Sequence, residues 1–384
     1  MERSLYTARC KHMNTSPPYS PAAAPLRFEP HFERPEDEEA QTTAAMNETL
    51  HKIQQKVFDD SGHAFRAVHA KSHGILRGEL HVAANLPPVL AQGLFGQYRV
   101  YPLVMRLSTV PGDILDDAVS TPRGMALKII GVEGQRLPGS ENDVTQDFVL
   151  VNAPAFGTPT AKKFQKNLKL VAATTDKAPG LKKVVSAVFQ GLERVSEALG
   201  HESPTLISLG GQPQTHPLGD TYYSQAPLLC GEYMAKVAVA PASPQLIGLK
   251  KAPVDLKNKP NGLRDALLTF FSTQGGEWDL RLQFCTDLKS MPIEDASKVW
   301  PEDQSPYVTV ARIRVPAQLA WSKERSATVD DGMSFSPWHG LAAHRPLGSI
   351  MRVRKAVYES AARFRAERDG VIISEPRNLD SFPI

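Results

Sequence analysis

Seven short segments carry apolar and β-branched residues in partial two-residue alternation: Gly74–Ala84, Val104–Val110, Gly124–Gly131, Gln146–Val151, Gly231–Val239, Trp278–Thr286 and Val308–Val315. That period marks pleated strands with one face toward a core, and the turn residues between the segments separate them. A helical period appears elsewhere. Residues Glu38–Phe58 place Ala44, Met46, Leu50, Ile53 and Val57 on one face, and Asp59-Asp60-Ser61-Gly62 closes the run. Helices are also predicted over Pro159–Ala172, Gly180–Leu199 and Gly262–Phe271. A long one spans Arg345–Gly370, with Pro346 in its first turn and Gly370 at its stop. Strands in a mostly antiparallel order, with helices inserted among them and flanking them, define an α+β fold built on an antiparallel β-barrel.

The same texture divides the chain. Residues 1–35 are rich in Pro, Ser and Ala without a period, and read as an extended N-terminal arm. Residues 36–384 read as a single domain, with the β-barrel over about 66–320, a wrapping loop over about 321–344 and the long helix over 345–369. That helix is unusual. The positions Leu347, Met351, Arg354, Tyr358, Ala361 and Arg365 alternate four and three apart, the spacing of one helical face. Two arginines and a tyrosine thus occupy a stripe normally filled with leucines, and inward-facing charge needs a partner. Either the helix packs on an acidic surface or the stripe grips a flat, anionic ligand.

Composition narrows the class. With 384 residues, 41% of them hydrophobic, and no apolar run of membrane-spanning length, stable membrane insertion is not expected. The net charge of +3 is spread among acids without a dense basic tract, so nucleic acid is not the expected partner. Cys10, Cys230 and Cys285 are far apart and lack metal-type spacing, and the N-terminus has no apolar secretion segment. Both features favour a reduced, cytoplasmic setting.

Polar residues look chemically arranged at a few further places. In FRAVHAKSHG, just before the first strong strand, His69 follows Val68, with Arg66 three residues earlier. A lone histidine beside a strand is more often a hydrogen-bonded core residue than a catalyst. In MRLSTVPG, Arg106 and Ser108 share a strand face by the period of two, so that Ser108 could orient an imidazole and Arg106 could meet an anion. STPRGMALKIIGVEG opens the next strand, and TQDFVLVNAPAF supplies Phe148 and Phe156.

Taken in order, these segments resemble the haem catalase superfamily. RAVHAK is similar to its distal-histidine motif, RLSTV to its Arg-x-Ser-Thr strand, STPRGMALKI to its Pro-Arg-Gly signature, KVWP and FSPWH to two later landmarks, and RKAVY to the Arg-x-x-x-Tyr element that carries the proximal ligand. The resemblance covers roughly Phe65–Arg365, and an ordered set of motifs is far more specific than one. It implies a catalase-like barrel that binds haem b, whose iron Tyr358 would ligate as a phenolate, tyrosine ligation being the mode known for catalase. Arg354 would lower the cost of that phenolate, and Arg66, Arg106 and Arg365 would meet the haem propionates. His69, held by Ser108, would move a peroxide proton during formation of a ferryl intermediate. Phe148 and Phe156 would pack on the porphyrin edge. Asn142 is the nearest match to the family's distal asparagine, with Asp143 as a competitor.

The resemblance also departs from the family. Only residues 359–384 follow Tyr358, so the chain resembles a shortened relative without the C-terminal helical domain, and no nicotinamide-cofactor site is expected. The implied activity is haem-dependent turnover of hydrogen peroxide or organic hydroperoxides, of catalase or peroxidase type. Alternatives are a fatty-acid hydroperoxide isomerase, whose members typically carry threonine where this chain has Val68, and a non-catalytic haem or lipid carrier on the same barrel. The arm resembles those that embrace neighbouring subunits in catalases, so a homo-oligomer is the implied assembly and simple disorder of the arm its alternative.

Overall fold

A computed structural model describes residues 23–110, 112–175 and 213–383. Its strands are β1 (Lys71–Val82), β2 (Val100–Thr109), β3 (Arg123–Ile130), β4 (Thr145–Val151), β5 (Tyr222–Tyr223), β6 (Leu228–Cys230), β7 (Tyr233–Pro241), β8 (Gly276–Phe284) and β9 (Val308–Val315). Neighbours are antiparallel, and the order β5-β4-β3-β2-β1-β9-β8-β7 closes on itself through a β5–β7 pairing, with β6 outside on β7. The result is a closed eight-stranded antiparallel barrel, which removes the unpaired edges of an open sheet. The closing strand is short: Tyr223 pairs with Val151 and Ala238, and Tyr222 with Val239. A two-residue strand carries too little alternation to register in sequence, and β5 and β6 are the strands the periodicity missed.

The seven strands read from alternation all form. Their alternation was only partial because much of the barrel is buried on both faces. In β1, Ile75 and Leu76 are both 0% exposed. Leu76 belongs to the barrel interior with Leu103, Met105, Leu127, Phe148 and Leu150. Ile75 belongs to an outer layer with Val104, Val329, Met333 and Phe335. The outer layer is where the segment after β9 crosses the barrel. Expected as a loop, that segment contains a helical turn at Lys323–Ser326, a π-helical turn at Ala327–Asp331 and a 3₁₀ turn at Ala342–His344.

Among the described residues, four longer helices accompany the barrel: α1 (Glu39–Ser61), α2 (Ala161–Thr175), α3 (Gly262–Phe271) and α4 (Ser349–Asp369). The predicted helix over Gly180–Leu199 lies outside the described residues. Helices α1 and α4 share an apolar cluster through Met46, Leu50, Ile350, Val353 and Val357. Helix α4 ends where expected, with Gly370 in the left-handed conformation (φ 64°). Its start differs from the expectation. Pro346 bridges Leu228 instead, and Gly348, at φ 84°, turns the chain into the helix. A Cβ on Gly348 would lie 2.4 Å from the Ile293 carbonyl oxygen, so only glycine fits.

The first amides of α4 are then met by carboxylates. Gly348 N–H donates to Glu33 Oε1 at 3.0 Å and Ser349 N–H to Glu294 Oε2 at 2.9 Å. Arg352 ties Glu33, Glu39 and Glu294 together. Glu33 comes from the arm, whose described part runs against the body: Leu26 N–H donates to the Cys285 carbonyl and Phe28 N–H to that of Glu232. Among the described residues, no helix is long and apolar enough to cross a membrane.

Candidate functional site

A cleft opens between the outer face of β2–β4 and helix α4, with α1 and the crossing segment at its sides. It encloses about 730 Å³, its open mouth included, and is lined by residues of both walls.

On the helix wall stands Tyr358. Arg354, one turn earlier, donates from Nη2 to the Tyr358 phenol oxygen at 2.6 Å, and its guanidinium carbon lies 5.1 Å from the ring centroid. Spacing of i and i+4 makes this contact a local property of the helix. The guanidinium thereby places a positive charge beside the phenol oxygen, the atom through which tyrosine ligates a metal.

The barrel wall carries His69, in the link between α1 and β1. Its backbone is left-handed, at φ 55°, a conformation uncommon for a non-glycine residue. Ser108 Oγ lies 3.3 Å from His69 Nδ1. Gly124, which pairs with Ser108 across β2–β3, lies beneath the ring, and a Cβ there would sit 2.7 Å from both Nδ1 and Cε1. The imidazole is pushed down to about 3, first by burial and then by the cations Arg106 and Arg354. It is therefore neutral at ordinary pH.

One end of the cleft is strongly cationic. Arg66, Arg106 and Arg365 all line it. Arg66 Nη2 donates to the carbonyls of Val329, Asp330 and Met333, while its Nε is buried without a partner. Arg365 Nη2 reaches the Met333 carbonyl at 3.2 Å. Burial pushes Arg365 down to about 10, with Arg106 adding to it, and lowers Arg66 through the same cause and its two arginine neighbours. Asp330 was not singled out in sequence. Burial alone would raise its carboxyl, but Arg106, Arg66 and a hydrogen bond from Ser72 hold it below the usual range.

The structure thus brings His69, Ser108, Arg66, Arg106, Tyr358 and Arg365 to one cleft, with Arg354 directly behind Tyr358. Three expected residues are elsewhere. Asn142 is exposed in the turn before β4, where its carbonyl accepts from Arg377 at 3.1 Å, and Asp143 is close by. The cleft is reached by the later part of β4, through Val149 and Leu150, so a residue preceding the strand emerges at the wrong end. Phe148 points into the barrel interior, its ring 6.2 Å from that of His344. By the period of two it is the neighbouring Val149 that faces outward. Phe156 packs on Phe164 at 5.1 Å, in the apolar cluster behind Tyr358 rather than on the cleft surface. Residues missed in sequence are small or apolar, chiefly Leu50, Gly124, Ala126 and Val149. Nothing but the fold distinguishes them from ordinary core positions.

Two apolar walls, a phenol hydrogen-bonded by a guanidinium on one of them, a neutral imidazole on the other and an arginine-rich end with a buried unpartnered N–H form a donor set that fits a flat ring carrying acidic groups and a central metal.

No protein-family model and no curated protein matches the sequence. Solved structures do. The chain is similar to a fungal catalase (TM-score 0.56, 18% identity, 85% of this chain and 67% of that one). It is similar to a bacterial catalase (0.58, 16%, 98% and 70%) and to catalase A from Saccharomyces cerevisiae (0.53, 19%, 82% and 63%). The chain has a catalase-like fold: an eight-stranded antiparallel barrel with added helices, spanning about two thirds of the length of those chains.

Proposed function

We propose that the cleft holds haem and that the protein is a hydroperoxide-processing oxidoreductase of catalase or peroxidase type. The observation that carries this reading is the Arg354–Tyr358 pair on one wall facing a neutral, serine-held His69 on the other. When bound, the haem iron supplies the redox chemistry that peroxide cleavage needs. The chain's own residues do the rest. The Tyr358 oxygen would hold the iron, with Arg354 donating to that oxygen from behind. Arg66, Arg106 and Arg365 offer planar guanidinium donors to carboxylates, with the free Nε of Arg66 a ready partner. His69, unprotonated above about pH 3, takes a proton from one peroxide oxygen at Nε2 and returns it to the other, while Ser108 fixes the ring from the Nδ1 side.

The cleft walls near His69 are apolar, with Val68 38% exposed beside it and Met125, Ala126 and Val149 lining the wall. Such walls favour substrates with an apolar body as well as hydrogen peroxide. Val68 also denies His69 a neighbouring hydroxyl, which favours proton transfer over the isomerase reading. The test is the visible spectrum of protein expressed with ample haem, followed through additions of hydrogen peroxide and of cumene hydroperoxide. A tyrosinate-type haem spectrum with peroxide consumption is expected. A colourless protein would overturn the proposal.

A further inference from the structure

Behind the cleft lies a largely buried carboxylate that the proposed chemistry does not use. Asp330 sits in the π-helical turn Ala327–Asp331 and is not on the cleft surface. Its Oδ1 accepts from Arg106 Nε at 2.6 Å. Through Nη2 the same guanidinium donates to the carbonyls of His69 at 2.9 Å and Ala70 at 3.1 Å. Because a guanidinium is planar and rigid, fixing Nε decides where Nη2 points. Consecutive carbonyls of an extended chain point to opposite sides, so one nitrogen serving both holds the chain in a bend. His69, at φ 55°, lies at that bend. A sparsely populated backbone conformation persists only where its surroundings over-determine it.

We propose that Asp330 is a positioning residue for His69, acting through Arg106 to hold the main chain in the conformation that aims the imidazole into the cleft. The carboxylate is itself anchored from the other side. Ser72 Oγ and Ser326 Oγ each donate to Oδ2 at 2.7 Å, and Trp321 Nε1 donates to Ser72 Oγ at 2.9 Å. Arg66 and Arg365 grip the carbonyls flanking Asp330, which ties the turn to the arginine-rich end of the cleft. Binding of an anion at that end and the pose of His69 are therefore linked through one carboxylate. This extends the proposed function, since it rests on His69 as the proton-handling group.

The experiment compares the full-length wild type with Asp330→Asn, which keeps the shape but offers Arg106 only a neutral acceptor. In a crystal structure of Asp330→Asn, φ of His69 is expected to leave the positive region and the Ser108–His69 contact to open. Turnover of hydrogen peroxide should fall by up to ~100-fold, the scale of a misplaced catalytic group, with the haem spectrum unchanged. In a His69→Ala background, Asp330→Asn should add no further loss. An unchanged His69 backbone, or an equal loss in both backgrounds, would overturn the inference. Should Asp330→Asn fail to fold, Ser326→Ala, which removes one anchor and keeps the charge, decides on the same readouts with a smaller change in the same direction. The crystallographic arm needs no turnover, so a wild type without peroxide activity would sink the proposed function and leave the positioning role testable by itself.

Discussion

Gly124 occupies a position where any side chain would collide with His69, since its Cβ would lie 2.7 Å from the ring. Gly124→Ala is therefore expected to displace the imidazole or the strand. Overpacking of this kind costs about 1–3 kcal/mol, and peroxide turnover should fall while the haem spectrum holds, checked by thermal melts and steady-state kinetics on one preparation. Tyr358→Phe tests the opposite wall. Removing the phenol oxygen leaves Arg354 Nη2 without its 2.6 Å acceptor and removes the proposed ligand. Loss of the tyrosinate-type absorption bands, with a far-ultraviolet dichroism spectrum like the wild type, is the expected result. The Arg354–Tyr358 contact was legible in sequence because both members lie on one helix, where spacing alone fixes proximity. Asp330 was not, because its partners Arg106 and Ser72 come from strands more than two hundred residues away.

At the scale of the element, α4 owes its position to its first turn as much as to its apolar face. Three carboxylates, Glu33, Glu39 and Glu294, converge on Arg352, whose guanidinium is half-buried among them. Arg352→Met leaves those acids facing one another with only Glu33 still paired, to Arg345 at 2.7 Å. Because the set is only half-buried and solvent screens part of the repulsion, a lower melting temperature is expected, and added salt should recover part of the loss. The helix period and the C-terminal glycine gave away the body and end of α4. Its start did not follow the usual rule for proline, because Pro346 is committed to a bridge with Leu228 that only the folded barrel provides.

At the scale of the whole molecule, buried histidines set the dependence of stability on pH. His216 and His344 are both pushed down to about 4, chiefly by burial. As pH falls below 6.5 the unfolded chain takes up these protons before the folded one, so stability present above 6.5 is lost as pH falls toward 4. Full loss at one such site is worth roughly 3 kcal/mol at 1.36 kcal/mol per unit. His339 has the opposite sign. Burial disfavours its charge, but Asp147 and Glu375 at 3.4 and 3.3 Å raise it to about 9. Its contribution is complete below 6.5 and is lost as pH rises through 9. Melting temperature should peak between these limits, and His339→Gln should flatten the alkaline side in a pH series of thermal melts.

Alternation, helical spacing and punctuation by glycine are local properties, and they determined seven of the strands, the bodies of the helices and the Arg354–Tyr358 pair from the sequence by itself. The family-like motifs added His69, Ser108 and the three arginines. Which way a strand faces is decided by barrel closure, and with it the exchange of Phe148 for Val149 at the cleft. The end of the barrel on which a turn emerges places Asn142 away from the site. Pairings between residues far apart in the chain, such as Asp330 with Arg106, leave no periodic trace, because burial and charge compensation exist only after the chain has folded. The tertiary structure alone decided those contacts, and they hold His69 where the proposed chemistry needs it.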